Sequence, residues 1–242
     1  MNADAMYRSV IFVHGLHGNA HQTWTDQNNA FFWPQQLGVD IPSARIINFG
    51  YSSSKFTDDA TPHAVGESAK ALVDLLWDAR EDHRNRPMIF VTEGLGGHIV
   101  QDTLLICQKS PYLKDLLSSV FAIIFFSTSY SGDGLTVSDY ITAGSLGRPR
   151  KINKPTSNSL QAATTVASHT TVLDFEQLLL RSKIEVKTID DKSEKMVEST
   201  ALFEKSGPNI SAKRQAMTAF TSRTDVRYKR VVETIRMWMY QV

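Results

Sequence analysis

Cysteine is nearly absent from this sequence of 242 residues, which contains a single one, Cys107. A lone cysteine excludes an internal disulfide, and this favours a reducing compartment. Its neighbours in the sequence are apolar and lie in a predicted helix, so we expect a buried thiol without a chemical role. The first residues lack the basic and apolar segments of an export signal, which favours a cytoplasmic location.

The sequence also lacks long apolar runs and an excess of charge of one sign. No uncharged apolar stretch approaches the ~20 residues needed to cross a bilayer, so we expect no membrane span. Lys and Arg number 26 and Asp and Glu 25, and a net charge of +1 gives no general reason to bind nucleic acid. The seven histidines form no metal-binding motif, and no Gly-Lys-Ser/Thr follows the glycine-rich segment. We therefore expect no metal and no other cofactor.

What the sequence does contain is an alternation of short apolar runs and longer segments with helical spacing. This alternation is typical of βαβ units around a mostly parallel sheet, and the length fits a single α/β domain over residues 1–242. We predict strands at 8–13, 44–49, 87–92, 119–126, 183–189 and 197–202, and helices at 64–83, 97–109, 159–181 and 225–240. The segment 128–158 is rich in Ser, Thr, Gly and Pro, and reads either as a surface linker or as a mobile lid over a pocket.

The segment between the third predicted strand and the following helix reads TEGLGG over residues 92–97. A strand, a sharp turn and a helix form the context of the G-x-S-x-G nucleophile elbow, in which a strained turn presents a serine above the sheet. Gly94 stands at the position of that serine, and glycine tolerates the positive φ that the elbow imposes. Thr92 lies two residues too early and is expected to point elsewhere. The turn is therefore predicted to persist without a nucleophile.

Six stretches along nearly the whole chain carry a family resemblance. They are residues 10–18 (VIFVHGLHG), 32–34 (FWP), 44–52 (ARIINFGYS), 92–97 (TEGLGG), 122–128 (AIIFFST) and 220–228 (FTSRTDVRY). In these stretches the chain resembles the serine-esterase-like α/β-hydrolase domain of fungi, which often precedes the nucleotide-binding module of NACHT or NB-ARC receptor-like proteins. The resemblance implies an α/β-hydrolase fold, in which helices flank a mostly parallel sheet and the segment 128–158 is placed as a lid.

The catalytic positions of that family are altered in this chain. Family members usually have GHSLGG at the elbow, FFGTPHRG after the next strand and ADH near the end. The corresponding residues here are TEGLGG, FFSTSYSG over 125–132 and Ala212-Lys213-Arg214. The resemblance thus places Gly94 and Arg214 at the nucleophile and base positions of a degenerate triad. No histidine follows His169, and an arginine cannot accept a proton at neutral pH.

Other parts of the catalytic site are retained. A glycine-rich segment, His14-Gly15-Leu16-His17-Gly18, follows the first strand and offers backbone N–H donors of the kind that form an oxyanion loop. His14 is expected to support the fold, whereas His17 is more open to a ligand. Asp191, or Asp190 beside it, follows a predicted strand and matches the acidic member of the triad; both also fit an ordinary surface turn.

Two residues differ from the family in a way that suggests other chemistry. Glu93 and Tyr130 both stand where the family has histidine. A carboxylate in a pocket that glycine opens can act as a general acid or base without covalent catalysis. The alternatives are that Glu93 pairs with an arginine such as Arg214 or faces solvent, and that Tyr130 fills space. Our catalytic candidates are therefore Glu93, Asp191 and Tyr130, next to a pocket formed by residues 14–17, Gly94 and Leu95.

Three functions compete on these observations. The first is a non-hydrolytic protein that binds a small apolar ligand in the former active site and isomerises, cyclises or eliminates it, which makes a lyase, isomerase or cyclase more expected than a serine hydrolase. The second is a catalytically inactive signalling or interaction module, with a protein partner or a second copy of the chain. The third is a serine esterase or lipase with a displaced triad. The retained oxyanion loop, elbow and lid favour the first.

Overall fold

The computed structural model describes residues 7–16, 18–52, 61–126, 169–189, 196–198 and 217–241. The strands are β1 (Arg8–Val13), β2 (Thr25–Asp26), β3 (Phe31–Phe32), β4 (Ala44–Phe49), β5 (Met88–Glu93), β6 (Val120–Phe126), β7 (Glu185–Ile189) and β8 (Met196–Glu198). The α-helices are α1 (Trp33–Asp40), α2 (Thr61–Asp78), α3 (Leu95–Lys109), α4 (Lys114–Ser118), α5 (His169–Arg181) and α6 (Val226–Tyr240). Two 3₁₀ turns, Gln22–Trp24 and Pro111–Leu113, lie before β2 and α4.

Six strands form the central sheet in the order β4-β1-β5-β6-β7-β8. The first five are parallel, and β8 pairs antiparallel with β7. The chain runs from β1 to β4 on one side and then crosses to β5 on the other side of β1. The strand order therefore reverses at β1, and the carboxyl ends of β1 and β5 meet where open α/β sheets bind their ligands.

Apolar residues cover both faces of the sheet, because successive side chains of a strand point to opposite faces. Ile11, Val13, Phe90 and alternate residues of β6 pack on one face against α2, α3, α4 and α5. Val10, Phe12, Ile89 and Val91 pack on the other face against α1 and α6. Burial on both faces explains why the central strands β1, β5 and β6 read as nearly continuous apolar runs.

The prediction of a mostly parallel α/β sheet flanked by helices is confirmed, and the strands at 8–13 and 44–49 have the predicted bounds. The predicted helix at 64–83 is wrong at both ends, since α2 spans Thr61–Asp78 and turns follow it. The short elements α1, α4, β2 and β3 were not predicted. The expected lid at 128–158 lies outside the described residues, as does the first part of the helix predicted at 159–181.

A buried carboxylate fixes the C-terminal helix to the rest of the fold. Asp40, at the end of α1, accepts a hydrogen bond from the Tyr228 hydroxyl on α6 at 2.5 Å and forms an ion pair with Arg223. Its side chain is 8% exposed. Burial raises the pKa of Tyr228 above its ordinary value, and the hydrogen bond to Asp40 is the second largest cause in the same direction. The phenol therefore stays protonated and acts as a donor.

We expect Tyr228→Phe to lower the free energy of unfolding by about 1.5–3 kcal/mol, because it removes a hydrogen bond to a charged, buried acceptor. Urea denaturation followed by circular dichroism measures this change. Tyr112→Phe is the matched control, since Tyr112 is 85% exposed, and its effect should stay within about 0.5 kcal/mol. Equal stability of the two variants would contradict a structural role for the contact.

Candidate functional site at the carboxyl edge of the sheet

The turn between β5 and α3 consists of one residue, Gly94. Its backbone angles are φ 50° and ψ −115°, a positive-φ conformation that side chains rarely adopt. Its N–H donates to the Phe126 carbonyl at 2.9 Å, and its own carbonyl accepts from the Gly97 N–H at 3.1 Å. A strand therefore ends, turns sharply at a positive-φ residue and starts a helix, as the sequence predicted for a nucleophile elbow.

The start of α3 packs directly on the end of β1 at Gly96. A Cβ atom on Gly96 would lie 2.3 Å from the Val13 carbonyl oxygen and 2.5 Å from that of His14. Only a residue without a side chain fits this close approach. The contact holds the elbow beside the glycine-rich loop that follows β1.

Glu93 lies against this loop. A Cβ atom on Gly15 would be 2.0 Å from Oε2 of Glu93 and 2.8 Å from its carbonyl oxygen, so the carboxylate packs on the Gly15 backbone. β1 and β5 are adjacent parallel strands with Val13 opposite Thr92, and this register brings the two residues together. Two of the predicted site features, the oxyanion loop and Glu93, therefore touch.

His14 has both ring nitrogens engaged and is fully buried. Its Nδ1 lies 2.9 Å from the Gly15 carbonyl, an acceptor, and its Nε2 lies 3.2 Å from the Tyr51 backbone N–H, a donor. These partners require the neutral ring with the proton on Nδ1. Burial lowers the pKa of His14, against the smaller opposite effect of the Gly15 carbonyl. His14 therefore shapes the loop, as expected, and is not placed to act as a base.

Tyr51 is a site residue that the sequence did not single out. Its ring stacks on that of His14 with centroids 4.1 Å apart, and its hydroxyl donates to the His14 carbonyl at 2.8 Å. The signal was available, because Tyr51 comes just after β4 and side chains that follow parallel strands meet at one edge of a sheet.

The side chains of the remaining described residues, Leu95, Leu16 and Thr92, contact other parts of the fold. Leu95 is 1% exposed and Leu16 packs on the same apolar cluster. The Thr92 hydroxyl donates to the Ile124 carbonyl at 3.3 Å inside the sheet, which confirms that it points away from the elbow. The N–H of Leu95 belongs to the first turn of α3, where no preceding helical carbonyl can accept it. In elbow enzymes this group is an oxyanion donor.

Several predicted site residues lie outside the part of the chain that the structure describes. They are His17, Tyr130, Asp190, Asp191 and Arg214. Their roles stay predictions. Within the described ranges, no group of three or more His, Cys, Asp or Glu residues could hold a metal ion, and none of the helices is both long and apolar enough to cross a bilayer.

Two ionisable groups on α3 are perturbed by burial. Cys107 is buried, as expected, and burial raises the pKa of its thiol to about 11. Burial also raises the pKa of Asp102 to about 6, which Lys109 partly opposes. Asp102 was not predicted as special, since a single carboxylate in a helix carries no sequence signal of burial. It lies about two helical turns beyond the elbow.

The arrangement defines a class of protein. A mostly parallel sheet with helices on both faces, a glycine-rich loop after its first strand and a positive-φ elbow at its carboxyl edge together constitute an α/β-hydrolase fold, and this chain has that fold. The fold alone does not fix an activity.

Part of the chain is similar in sequence to protein SERAC1 of several animals. Over 146 residues the chain is 29% identical to mouse protein SERAC1, a match that covers 52% of this chain and 22% of SERAC1. Bovine SERAC1 is 30% identical over 144 residues, with the same coverage. The matched region is thus about a fifth of the length of these relatives. No protein-family model matches the chain.

Solved structures with a related arrangement include two bacterial proteins. An extracellular α/β-hydrolase from a Paenibacillus species has a TM-score of 0.47 and 13% identity, over 97% of this chain and all of that one. Phospholipase PlaB from Legionella pneumophila has a TM-score of 0.44 and 15% identity, over 76% of this chain and 38% of PlaB. With such low identities and TM-scores below 0.5, these likenesses carry no conclusion about activity.

Proposed function

We propose that this chain is a non-hydrolytic protein, built as a single α/β-hydrolase-like domain, that binds a small apolar ligand at the carboxyl edge of its sheet. The bound ligand undergoes an acid–base or proximity-driven reaction, namely an isomerisation, cyclisation or elimination. The proposal extends to a cytoplasmic location and to kinship with the fungal family that the sequence resembles. No cofactor is needed for chemistry of this kind.

The observation that carries the proposal is the contact between the Glu93 carboxylate and Gly15. Acyl transfer needs hydrogen-bond donors, and no negative charge, at the place where the oxyanion develops. Two unit charges about 4 Å apart interact by about 4 kcal/mol at an effective dielectric of 20. A carboxylate packed on the oxyanion loop therefore opposes an acyl-transfer transition state, independently of the missing nucleophile at Gly94.

The same carboxylate suits proton transfer. Glu93 lies at the end of a buried strand, directly before a turn whose residue has no side chain. A positioned general base typically contributes 10²–10⁴-fold to a rate, and holding a flexible ligand near its reactive conformer adds to this. Asp191, Tyr130 and His17 are proposed as further groups around the ligand.

A proton-abstraction probe tests the proposal. 5-Nitrobenzisoxazole is a neutral, apolar molecule that a carboxylate base opens by elimination to a coloured nitrophenolate. We expect the wild-type protein to accelerate this reaction above buffer, and Glu93→Gln to lose at least tenfold of the acceleration. Glu185→Gln is the matched control, because Glu185 is exposed at the start of β7.

Equal rates for the wild type and both variants would show that the Glu93 carboxylate does not abstract the proton. That result would favour the second candidate, a pseudohydrolase whose surface binds a protein partner. Circular dichroism of Glu93→Gln checks that the fold is retained, since Glu93 is partly buried.

A further inference from the structure

A second cleft lies at the opposite, amino edge of the sheet, and we call it the amino-edge cleft. It is an open cavity of about 700 Å³ between α4, the start of β6 and the turn at residues 182–184 before β7. Sites that bury a drug-sized ligand measure about 300–1,000 Å³. β5 and β6 are six and seven residues long, so at about 3.3 Å per residue they separate this cleft from the elbow by roughly 20 Å.

The wall of the amino-edge cleft is largely apolar. Leu117, Val120, Phe121 and Ile184 line it, together with Pro87. Four of these five are only partly buried, so apolar surface faces the cavity. A ligand with a hydrocarbon segment would gain about 25 cal/mol for each Å² of such surface that it covers.

The rim of the cleft is positively charged. Lys114 and Lys183 line it from two different elements and are exposed. None of the described residues that line the cavity is acidic. The nearest carboxylate on α4, Asp115, lines a separate small pocket with Arg80 and Arg84.

Two buried guanidinium groups lie behind this wall. Arg80 donates from Nη2 to the Ser119 hydroxyl at 2.6 Å, and Ser119 lines the cleft. Arg8 lies 3.9 Å from the centre of the Phe121 ring and is 4% exposed. Burial lowers the pKa of both arginines, and neither forms an ion pair with any residue that the structure describes. Nε of each is buried without a hydrogen-bond partner. The rim lysines and the two buried arginines therefore place positive charge at this edge of the sheet, where the carboxylate of Asp115 favours the charged form of Arg80.

We propose that the amino-edge cleft binds an anionic amphiphile, namely a long-chain carboxylate whose acyl chain covers the apolar wall while its head group meets Lys114 and Lys183. The apolar wall selects for the chain, and the basic rim selects for the negative head group. The assignment does not depend on the function proposed for the carboxyl edge.

Competition binding with lipid probes tests this assignment. Dansyl-aminoundecanoic acid serves as the fluorescent probe, and dodecanoate, dodecanol and inorganic phosphate serve as competitors. We expect dodecanoate to displace the probe at least tenfold better than dodecanol, and phosphate to displace none. If dodecanol equals dodecanoate, or if phosphate alone displaces the probe, the assignment is overturned.

Charge reversal locates the site. Lys114→Glu/Lys183→Glu should weaken probe binding at least tenfold at low salt, and this difference should shrink towards 1 M salt as the charges are screened. Lys70→Glu/Lys229→Glu carries the same charge change at exposed positions on α2 and α6 and should bind as the wild type does. If probe binding weakens equally in both double variants, net charge alone explains the effect, and the proposed site is overturned. Glu93→Gln should also bind normally; an altered affinity would place the probe at the other edge.

Direct labelling gives an independent readout. A Ser118→Cys variant carries an exposed thiol at the rim of the cleft, whereas the natural Cys107 is buried with a raised pKa and does not compete for a thiol dye. Dodecanoate should shift the emission of an environment-sensitive dye at this position. No shift at concentrations that displace the probe would contradict the assignment.

Discussion

A fluorophosphonate probe should leave the wild-type protein unlabelled and should label a Gly94→Ser/Arg214→His variant. Gly94 occupies the positive-φ turn between β5 and α3, so a serine there would stand at the elbow. Arg214→His supplies a base at the position that the family resemblance assigns to the triad histidine. The measurement is the rate of covalent labelling, with the modified residue identified by mass spectrometry.

The contact of Glu93 with Gly15 predicts how much the labelling rate changes when Glu93 is replaced. Adding Glu93→Gln to the double variant removes the negative charge from the oxyanion loop, and we expect labelling to accelerate by about 10²–10³-fold, the range of an oxyanion-hole contribution. Glu93→His, which restores the family's residue, should act in the same direction.

The matched control places the new serine elsewhere. A Cβ atom on Gly66 in α2 meets open space, so Gly66→Ser/Arg214→His should fold and stay unlabelled. Labelling of the wild type at any serine would instead establish a hydrolase with a displaced triad. Labelling of the elbow serine at the same rate with and without Glu93 would remove the electrostatic argument for a non-hydrolytic site.

Gly96→Ala should destabilise the protein by about 3 kcal/mol or more, which is at or above the usual cost of overpacking. The added methyl group would overlap the Val13 and His14 carbonyl oxygens, at 2.3 and 2.5 Å. Both are backbone atoms of a central strand and its following loop, and neither can rotate away. At about 2–4 °C per kcal/mol for a chain of this size, the melting temperature should fall by roughly 10 °C.

The control for this prediction is the same substitution, glycine to alanine, at a position where the stability should rise. Gly66→Ala lies inside α2 and meets nothing within 4 Å. It should raise the stability by about 0.5–1 kcal/mol, because alanine has the better helix propensity. Thermal unfolding of the two variants side by side gives the comparison. A Gly96→Ala protein as stable as the wild type would show that α3 does not pack as closely on β1 as described.

The sheet was predictable because its central strands β1, β5 and β6 are largely apolar on both faces, and this signal is independent of long-range contacts. The helix α1 was missed for a local reason. Its eight residues include Pro34 and Gly38, and an element this short shows barely two turns of periodicity. The two-residue strands β2 and β3 carry no pattern at all.

At the candidate site, the sequence singled out Gly94 and Glu93, but neither Tyr51 nor the contacts between these residues. Gly94 and Glu93 were recognisable because they depart from a known motif. That the Glu93 carboxylate rests on Gly15 follows from the pairing of β1 with β5, which residue types alone do not determine. In the same way, the protonation of His14 depends on Tyr51, which β4 brings from another part of the chain.

The glycine at the elbow also affects how well the fold tolerates destabilising substitutions. A residue with a side chain held at positive φ costs about 1–3 kcal/mol in the folded state. Glycine at position 94 avoids that strain, although its freer unfolded chain offsets about 0.5–1 kcal/mol of the gain. The difference is a stability reserve relative to an elbow that carries a serine. Such a reserve lets a protein accept destabilising substitutions, including a carboxylate beside a buried loop. More sequences are then compatible with this fold, and among them are sequences with a different chemistry at the site.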